Sequence, residues 1–440
     1  MKKVSISLMF TAMAFVGFTQ TRLSKSDMVV LDNKALAVTK EKIVNKDKDM
    51  MLAYESLIKQ CDKSMNFGPF SVMDKKDFPP SGNKHDYMSL APYWWPDPTK
   101  PDGLPYIKKD GLRNPTYYDI SDSQEIDKVE DATLSLALAY YFTKEAKYAN
   151  FTSKLLKVWF INPETRQNPH LNFAQGIPGL SSGRGTGLIE TRDIYRILDA
   201  AILIQNSPNW SKEDHKSLKN WFSDYLTWML ESPIGQDEAK AKNNHGTFYS
   251  EQVIAMALFI DKPEIALKEI EIFKNRMESQ MKSDGSQPLE LARTKSWNYV
   301  NMNMYGYYLI AKLAENVNVS LWNHQISEGK NMKKALDFIM PYLKNEKVWE
   351  YEQIQKISYG ETIKILNHFN LFIKIEIFSV SSDNQENTNM NKQISQENTN
   401  ISQEQAKYRV SIKRELRKLN YRDFDNEDPT EILEAKLLEA

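Results

Sequence analysis

Apolar residues recur through most of the chain at the spacing of an amphipathic α-helix, and the alternation typical of β-strands is scarce. The clearest helical face lies within residues 125–148, where positions 132–140 are almost continuously apolar. The pattern predicts helices over residues 29–61, 125–148, 191–204, 212–230, 251–259, 263–281, 296–314, 331–343 and 362–377.

Short breaks with Pro, Gly or Asn separate these predicted helices, and Ser211 followed by Glu213 and Asp214 is typical of a capped helix start. Short connections favour antiparallel neighbours. The sequence therefore predicts an all-α fold of helical hairpins, which either close into an α/α toroid or remain an open arc.

Two long loops interrupt the helices, at residues 79–116 and 162–187. Loops of this length inside a compact fold are usually functional or disordered. The first loop contains many aromatic residues, which argues against disorder, and we interpret it as a lid. Histidine, glutamine and arginine residues occur in the second loop, at His170, Gln175 and Arg184.

The two ends of the chain differ in character from the middle. Residues 1–19 have a basic start and a short apolar run, which predicts a secretory signal peptide rather than a membrane span. The only cysteine is Cys61, so no lipid-anchor cysteine follows that segment. Residues 20–378 are the predicted catalytic domain, and 379–440 a disordered Asn/Gln-rich tail with a charged segment able to form a terminal helix. We expect a periplasmic or secreted protein.

The overall charge excludes one class of partner. Among 440 residues, 57 are Lys or Arg and 58 are Asp or Glu, so the net charge is −1. This balance gives no general attraction for nucleic acid, and an anionic ligand must meet a local cluster of cations. Aromatic residues make up 11% of the chain, a content consistent with a sugar-stacking cleft or with a large core.

The most informative motif is Asn243-Asn244-His245-Gly246, considered together with Arg293 and Tyr299. It combines an amide, an imidazole, a guanidinium and a phenol, without an acidic residue or a metal-ligand spacing. This set suits β-elimination from a uronic acid polymer. Such a reaction needs hydrogen-bond donors that neutralise the carboxylate, a base for the adjacent proton, and an acid for the departing oxygen. Asn244 and Arg293 can be the donors.

The proton-transfer roles remain open between two assignments. Histidine has an ordinary pKa of about 6.5 and is a ready base at neutral pH, whereas a tyrosine, with an ordinary pKa of about 10, is a ready acid. If proton and leaving group depart from the same face of the sugar, Tyr299 can do both jobs while His245 helps to fix the carboxylate. If they depart from opposite faces, His245 is the base and Tyr299 the acid.

Other interpretations of these residues exist. The tetrapeptide alone is also typical of a turn with a helix cap. An α/α-barrel glycoside hydrolase would need two carboxylates across the bond, and the pairs Glu190 with Asp193 or Asp284 with Glu290 are available. A non-catalytic glycan-binding protein would use the aromatic residues alone. The sequence leaves the oligomeric state open.

The chain resembles the alginate-lyase-domain proteins, which are helical-toroid polysaccharide lyases, and especially their alginate- and glucuronan-cleaving branch. The resemblance covers roughly residues 29–369. It rests on motifs at 85–87, 91–98, 172–179 and 183–184, on Asn243-Asn244-His245-Gly246, and on 289–294 through Tyr299. It implies an α/α toroid whose cleft is partly roofed by residues 79–116. The β-sheet domain that larger alginate lyases carry after the toroid has no counterpart here, which favours the single-domain branch.

The resemblance also implies roles for individual residues. Asn244 and Arg293 would neutralise the substrate carboxylate, and His245 and Tyr299 would transfer protons, with no cofactor or metal. The partner is an acidic polysaccharide or oligosaccharide. The expected substrate-binding residues are His85, Tyr87, Tyr93, Trp94, Trp95, His170, Gln175, Arg184, Asn243, Tyr249 and Glu290.

Overall fold

The computed structural model describes residues 28–357 without 323, 344 and 345, together with residues 362 and 365. The predicted signal peptide at 1–19, the predicted tail at 379–440 and most of the predicted helix at 362–377 lie outside the described residues.

Helices dominate the described part of the chain, and the predicted all-α class is confirmed. In chain order they are α1 Asn33–Val44, α2 Lys48–Ser64, α3 Asp122–Thr143, α4 Ala146–Leu156, α5 Tyr195–Leu203, α6 Lys212–Glu231, α7 Pro233–Ala239, α8 Asn244–Phe259, α9 Pro263–Gln280, α10 Pro288–Leu291, α11 Ser296–Glu315 and α12 Met332–Leu343. Short 3₁₀ turns lie at Val72–Asp74, Pro115–Asp119, Gly185–Thr191 and Ser327–Gly329, and a π-helical turn at Lys157–Ile161 follows α4.

The long helix predicted over residues 29–61 is wrong, because the chain forms two helices there. Lys46 adopts a left-handed φ of 56° and ends the first helix. Asp47 then caps α2, its side chain accepting a hydrogen bond from the Met50 N–H. A second break was also missed, at Lys144, whose φ of 62° separates α3 from α4. Neither break contains Gly or Pro, so the sequence pattern continues across both.

The predicted cap at Ser211 is confirmed. Its hydroxyl accepts from the Asp214 N–H while the Asp214 carboxylate accepts from the Ser211 N–H, which is a capping box at the start of α6. The bounds predicted for α9, α11 and α12 are correct within a residue. In contrast, α8 begins at Asn244 rather than at residue 251, so the Asn-Asn-His-Gly motif forms its first turn.

The core is built around two helices, α3 and α8. The helix α3 packs on α4 and α5, and α8 packs on α9 and α11. In α8 every residue except His245 is buried. Burial on all sides indicates an inner helix. His245 is thus the one residue of this helix that reaches partly accessible space.

Four short strands lie in the two long loops, and one pair of them joins the loops to each other. The strand β1 Met88–Leu90 pairs in parallel with β4 Phe173–Gly176, and β2 Trp94–Trp95 pairs antiparallel with β3 Ile107–Lys108. Beneath them, Lys75 forms a fully buried ion pair with Asp122 of α3 at 3.0 Å. The 79–116 segment, here called the aromatic loop, is therefore ordered by pairing and by this anchor. No helix among the described residues is long and apolar enough to cross a bilayer.

Candidate active site

The first turn of α8 presents the imidazole of His245 in a defined orientation. Its Nδ1 lies 2.6 Å from Oε1 of Glu238, which is located near the end of α7 and is 2% exposed. A buried carboxylate accepts, so Nδ1 carries the hydrogen and Nε2 of the neutral ring keeps its lone pair. The side chain of His245 remains 19% exposed. The arrangement is that of a histidine prepared to accept a proton at Nε2.

The neighbouring Asn244 is held by a second buried carboxylate. Glu290, on α10, accepts from the Asn244 backbone N–H at 2.6 Å and from Asn244 Nδ2 at 2.7 Å. Both side chains are 1% exposed. Among the described residues, Oδ1 of Asn244 has no hydrogen-bond partner. Glu290 thus fixes the amide, and one Nδ2 hydrogen makes no hydrogen bond to a described residue.

Arg293, Tyr299 and Tyr93 form a chain of hydrogen bonds from the segment after α10, through α11, to the aromatic loop. Nη2 of Arg293 donates to the Tyr299 hydroxyl at 2.7 Å, and this hydroxyl donates to Tyr93 at 3.1 Å. The guanidinium also lies over the Tyr299 ring, with Cζ at 3.7 Å from the centroid. The phenol is therefore held between a cation and a second phenol, both of which are polar partners for a sugar oxygen.

Glu290 connects the two groups of residues. Burial is the main cause that raises the pKa of its carboxyl. The hydrogen bonds from Asn244 and the nearby charges of Arg293 and His245 act to lower that pKa. The hydrogen bonds give the same connection: the Glu290 carboxyl binds Asn244, the neighbour of His245, and the Glu290 carbonyl accepts from the Arg293 backbone N–H at 3.1 Å. Arg293 is in turn bonded to Tyr299. Burial is also the largest cause that raises the pKa of Tyr299, followed by the neighbouring Tyr93, while Arg293 lowers it. Tyr299 is accordingly protonated at neutral pH.

Comparison with known proteins places this chain in a family. The profile described as alginate lyase matches residues 71–349. An alginate lyase structure from Bacteroides ovatus is 37% identical, with a TM-score of 0.76 over 79% of this chain and 93% of that chain. The chain belongs to the alginate lyase family. It is a polysaccharide lyase, and the predicted resemblance is confirmed.

More distant structures share the fold of this lyase. Alginate lyase A1-III from Sphingomonas species A1 is 15% identical, with a TM-score of 0.50 over 76% of this chain and 82% of that chain. A variant of A1-III, complexed with a tetrasaccharide, is 14% identical with a TM-score of 0.53 over 78% and 89%. These alginate lyases are α/α toroids, and the predicted toroid is confirmed for this chain. Comparison with curated proteins gave no match.

The lyase places two predicted sugar-binding residues of its loops in contact with each other. Arg184 donates from Nη2 to Oε1 of Gln175 at 2.7 Å and from Nε to the Gln175 carbonyl at 3.2 Å, and its Cζ lies 6.0 Å from the Trp94 ring. Gln175 has a left-handed φ of 49°. Such backbone strain in a residue other than glycine is concentrated at functional sites. The approach of Arg184 to Trp94 joins the 162–187 loop to the aromatic loop.

Three other predicted residues lie around the same loops. Trp95 donates from Nε1 to the Leu112 carbonyl at 2.9 Å, and the half-buried ring lies 5.0 Å from Nζ of Lys109. His170 contacts Asp86, with Nε2 at 3.1 Å from Oδ1, and its pKa is lowered by burial. Nδ1 of His85 lies 2.7 Å from the Arg166 carbonyl. These contacts are structural, and none of them reaches the His245 and Tyr299 cluster.

Several predicted sugar ligands are buried and already bonded. Tyr87 is fully buried and donates to Glu190 at 2.8 Å; Tyr249 is 4% exposed and donates to the Met229 carbonyl at 3.1 Å. Glu290 holds Asn244, as described above. Asn243 is the N-cap of α8, and its carbonyl accepts from Gln280. Tyr87, Tyr249 and Glu290 are therefore bonded within the protein interior, whereas the Asn243 side chain is half-buried and makes no cap hydrogen bond.

The sequence missed four charged residues of the site. Glu238 orients His245, and Asp110 of the aromatic loop binds Arg293. Lys295 lies with Nζ 5.8 Å from the Tyr93 ring, and its pKa is lowered by burial and then by the charge of Arg113. No sequence signal marks these residues, because their partners lie on other elements; Asp110, for example, lies 183 positions from Arg293. Among the described residues, no group of three or more His, Cys, Asp or Glu has a geometry for a metal ion.

Proposed function

We propose that this lyase cleaves a 1,4-linked polyuronate, either alginate or β-1,4-glucuronan, by β-elimination, and leaves an unsaturated uronide at the new chain end. One observation carries the proposal: Glu290 binds Asn244, the neighbour of His245, through its carboxyl and binds Arg293, the partner of Tyr299, through its backbone carbonyl. A carboxylate binder, a base and an acid thus share one environment, as the reaction requires.

In the first step the substrate carboxylate is neutralised. The proton beside a carboxylate becomes acidic only when hydrogen bonds stabilise the second negative charge of the intermediate. Arg293 and the free Nδ2 hydrogen of Asn244 supply such bonds. Removing one preorganised donor of this kind typically costs about 3 kcal/mol of transition-state stabilisation.

His245 is the proposed base. Its Nδ1 hydrogen is engaged by Glu238, so Nε2 is available for the sugar proton, and the carboxylate stabilises the imidazolium that forms. The alternative base, Tyr299, would have to ionise first. At the ordinary tyrosine pKa this costs about 4 kcal/mol at pH 7, and burial raises the pKa of Tyr299 further.

Tyr299 is the proposed acid. Its hydroxyl accepts from Arg293 and is hydrogen-bonded to Tyr93, so it is protonated and polarised before the glycosidic oxygen departs. Tyr93, which is half-buried, offers a second phenol beside it. In this assignment the base and the acid are separate residues, which fits departure of the proton and the oxygen from opposite faces of the ring.

The cations near Tyr93, Trp94 and Tyr117 favour binding of a polyanionic substrate. Arg113, Arg184 and Lys295 lie close to the aromatic side chains of Tyr93, Trp94 and Tyr117. Burial and then the charge of Arg113 lower the pKa of Lys295, and an anion bound beside these cations would offset both effects. The chain's net charge gives no such attraction, so this local cluster has to supply it.

Burial of the candidate catalytic carboxylates Glu290 and Glu190 argues against the glycoside hydrolase alternative. Glu290 has both carboxylate oxygens bonded to Asn244 and is 1% exposed. Glu190 is 7% exposed and accepts from both Tyr87 and Ser89. A hydrolytic acid or nucleophile needs an accessible carboxyl at the glycosidic bond.

One panel of substrates tests the proposal. Purified protein is incubated with mannuronate-rich alginate, guluronate-rich alginate and glucuronan, and the ultraviolet absorbance of the unsaturated product is followed with product sizing. A rise in absorbance on one of the polymers supports the proposal and identifies the polymer. New reducing ends without absorbance would indicate hydrolysis, and binding without cleavage would indicate a glycan-binding protein.

We also propose that the protein is exported through residues 1–19 to the periplasm or the medium, where such polymers occur. Its support is the basic, then apolar, pattern of this segment. Fractionation of cells expressing the full chain, together with N-terminal sequencing of the mature protein, tests this. Retention of the intact N-terminus in the cytoplasm would contradict it.

A further inference from the structure

An aspartate of the aromatic loop holds the guanidinium of Arg293. Oδ2 of Asp110 accepts from Nε at 3.0 Å, and Oδ1 accepts from Nη2 at 2.8 Å. This is the bidentate geometry in which arginine–carboxylate pairs are strongest. Asp110 also accepts from the backbone N–H of Thr294 at 3.3 Å and from its hydroxyl at 3.1 Å. One loop carboxylate therefore makes four hydrogen bonds to two consecutive residues beside α10.

The backbone next to Asp110 fits closely against the same segment. Gly111 has a φ of +72°, and a Cβ built there would lie 2.3 Å from Oγ1 of Thr294 and 2.9 Å from Cδ1 of Ile354. Only glycine fits this approach. The loop is docked here by shape as well as by charge, so its position relative to Arg293 is defined.

The pair is ionised under all ordinary conditions. Partial burial acts to raise the pKa of Asp110, but the hydrogen bonds and charge of Arg293, with the Thr294 N–H, outweigh it and bring the pKa to about 2. Lys108 adds a weaker contact to Oδ1 at 3.6 Å. The side chains of Arg293 and Asp110 are 18% and 22% exposed, so water screens the pair only in part.

The guanidinium of Arg293 is bonded to its described protein partners through only two of its three nitrogens. Among the described residues, its hydrogen bonds use Nε and Nη2, and Nη2 serves both Asp110 and Tyr299. This leaves Nη1 for a ligand. A long, flexible arginine side chain without such a brace would lose rotamer freedom on binding, which opposes binding of the ligand.

We infer that Asp110 is a positioning residue of the lyase reaction, which fixes Arg293 from the aromatic loop so that Nη1 meets the substrate carboxylate while Nη2 holds Tyr299. The inference rests on the proposed β-elimination. It assigns Asp110 no contact with the reacting atoms. It also makes docking of the loop at Asp110 and Gly111 a condition for assembling the Arg293–Tyr299 pair.

Two variants test the inference, with Asp102→Asn as the matched control. Asp102 belongs to the same loop, is exposed, and only accepts from the Leu104 N–H of its own turn. In Asp110→Asn we expect kcat to fall roughly 10-fold to 100-fold, as misplacement of a catalytic group does, with KM changed by less than about threefold. Asp110→Glu, which retains a carboxylate, should recover part of kcat. Asp102→Asn should match the wild type.

A second measurement is independent of catalysis. Hydrogen exchange is compared for peptides that cover residues 107–114 and 290–296 in the wild type, Asp110→Asn and Asp102→Asn. We expect faster exchange of both peptides in Asp110→Asn alone. Wild-type kcat in Asp110→Asn, or equal exchange in all three proteins, would overturn the inference. A wild-type protein inactive on every polymer, with the exchange difference present, would contradict the proposed function and leave the docking contact standing.

Discussion

Nδ1 of His245 lies 2.6 Å from the buried Oε1 of Glu238, so a carboxylate fixes both the tautomer and the direction of the only partly exposed side chain of α8. The two residues come from different helices, α7 and α8, that meet at a sharp connection. The hydrogen bond to Glu238 leaves the Nε2 lone pair of His245, in the first turn of α8, available to accept a proton. It therefore predicts that activity depends on Glu238 as well as on His245.

The first prediction concerns Glu238→Ala. Loss of the carboxylate frees the imidazole and removes the stabilisation of the imidazolium, so we expect kcat to fall by about 10²–10⁴, the usual contribution of a general base. KM should change little, since Glu238 is buried away from substrate. Steady-state kinetics by ultraviolet absorbance measure both. Asp237→Asn, an exposed neighbour on α7, is the control, and equal kcat in the two variants would contradict the role.

The second prediction concerns the proton-transfer pair itself. Tyr299→Phe removes the hydroxyl between Arg293 and Tyr93, and His245→Ala removes the base, so each should abolish turnover while the far-ultraviolet circular dichroism stays that of the wild type. Tyr140→Phe on α3 is a matched control away from the site and should retain full activity. Substantial activity in either site variant would remove that residue from the mechanism.

The order of the helices and much of the site could be predicted from the sequence. The period of the apolar residues predicted α6, α9, α11 and α12 within a residue. One motif with two downstream residues predicted Asn244, His245, Arg293 and Tyr299 as catalytic; of these, Asn244 and Arg293 both bind Glu290, and Arg293 binds Tyr299. The carboxylates that orient them could not be predicted. Glu238, Glu290 and Asp110 act across helix ends and loops, and such long-range pairing leaves no periodic signal.

The two helix breaks, at Lys46 and Lys144, could not be predicted either, because neither position holds a residue type that usually ends a helix. Lys46 and Lys144 adopt left-handed conformations that are rare for residues other than Gly or Asn. The apolar period runs through both positions. The sequence therefore predicted one helix over residues 29–61 where tertiary packing produces α1 and α2.

The third prediction concerns the ion pair beneath the aromatic loop. Nζ of Lys75 lies 3.0 Å from Oδ2 of Asp122, with both side chains fully buried, and also donates to the Val72 and Lys84 carbonyls. In Lys75→Met the carboxylate loses its partner, and breaking a buried pair from one side typically costs about 3–5 kcal/mol of unfolding free energy. Urea unfolding measures this loss.

A matched comparison separates the buried pair from a surface one. Lys147 contacts Asp62 at 2.9 Å, but both side chains are about half exposed. Lys147→Met should leave the urea midpoint almost unchanged, because solvent screens exposed pairs. If Lys75→Met and Lys147→Met had the same small effect, the Lys75–Asp122 pair would not anchor the aromatic loop.

The fourth prediction concerns pH and Glu190, which accepts from Tyr87 and Ser89 under β1. Burial raises its pKa from 4.5 to about 7, although the two hydroxyls oppose the shift. Between these values the unfolded chain releases its proton first. This carboxyl therefore contributes stability at low pH that is lost as pH rises through the window from 4.5 to about 7. Glu190→Gln, which stays neutral, should lose this dependence.

Thermal unfolding at pH 5 and pH 8 measures the effect as the Tm of Glu190→Gln minus that of the wild type. We expect the difference to be more positive at pH 8, where the wild-type carboxyl must ionise in the core. Glu213→Gln, at an exposed position in the first turn of α6, corrects for the change in net charge and should show no such trend. An equal Tm difference at both pH values would mean that Glu190 titrates alike in the folded and unfolded states, which contradicts the burial of its carboxyl between the loops and α3.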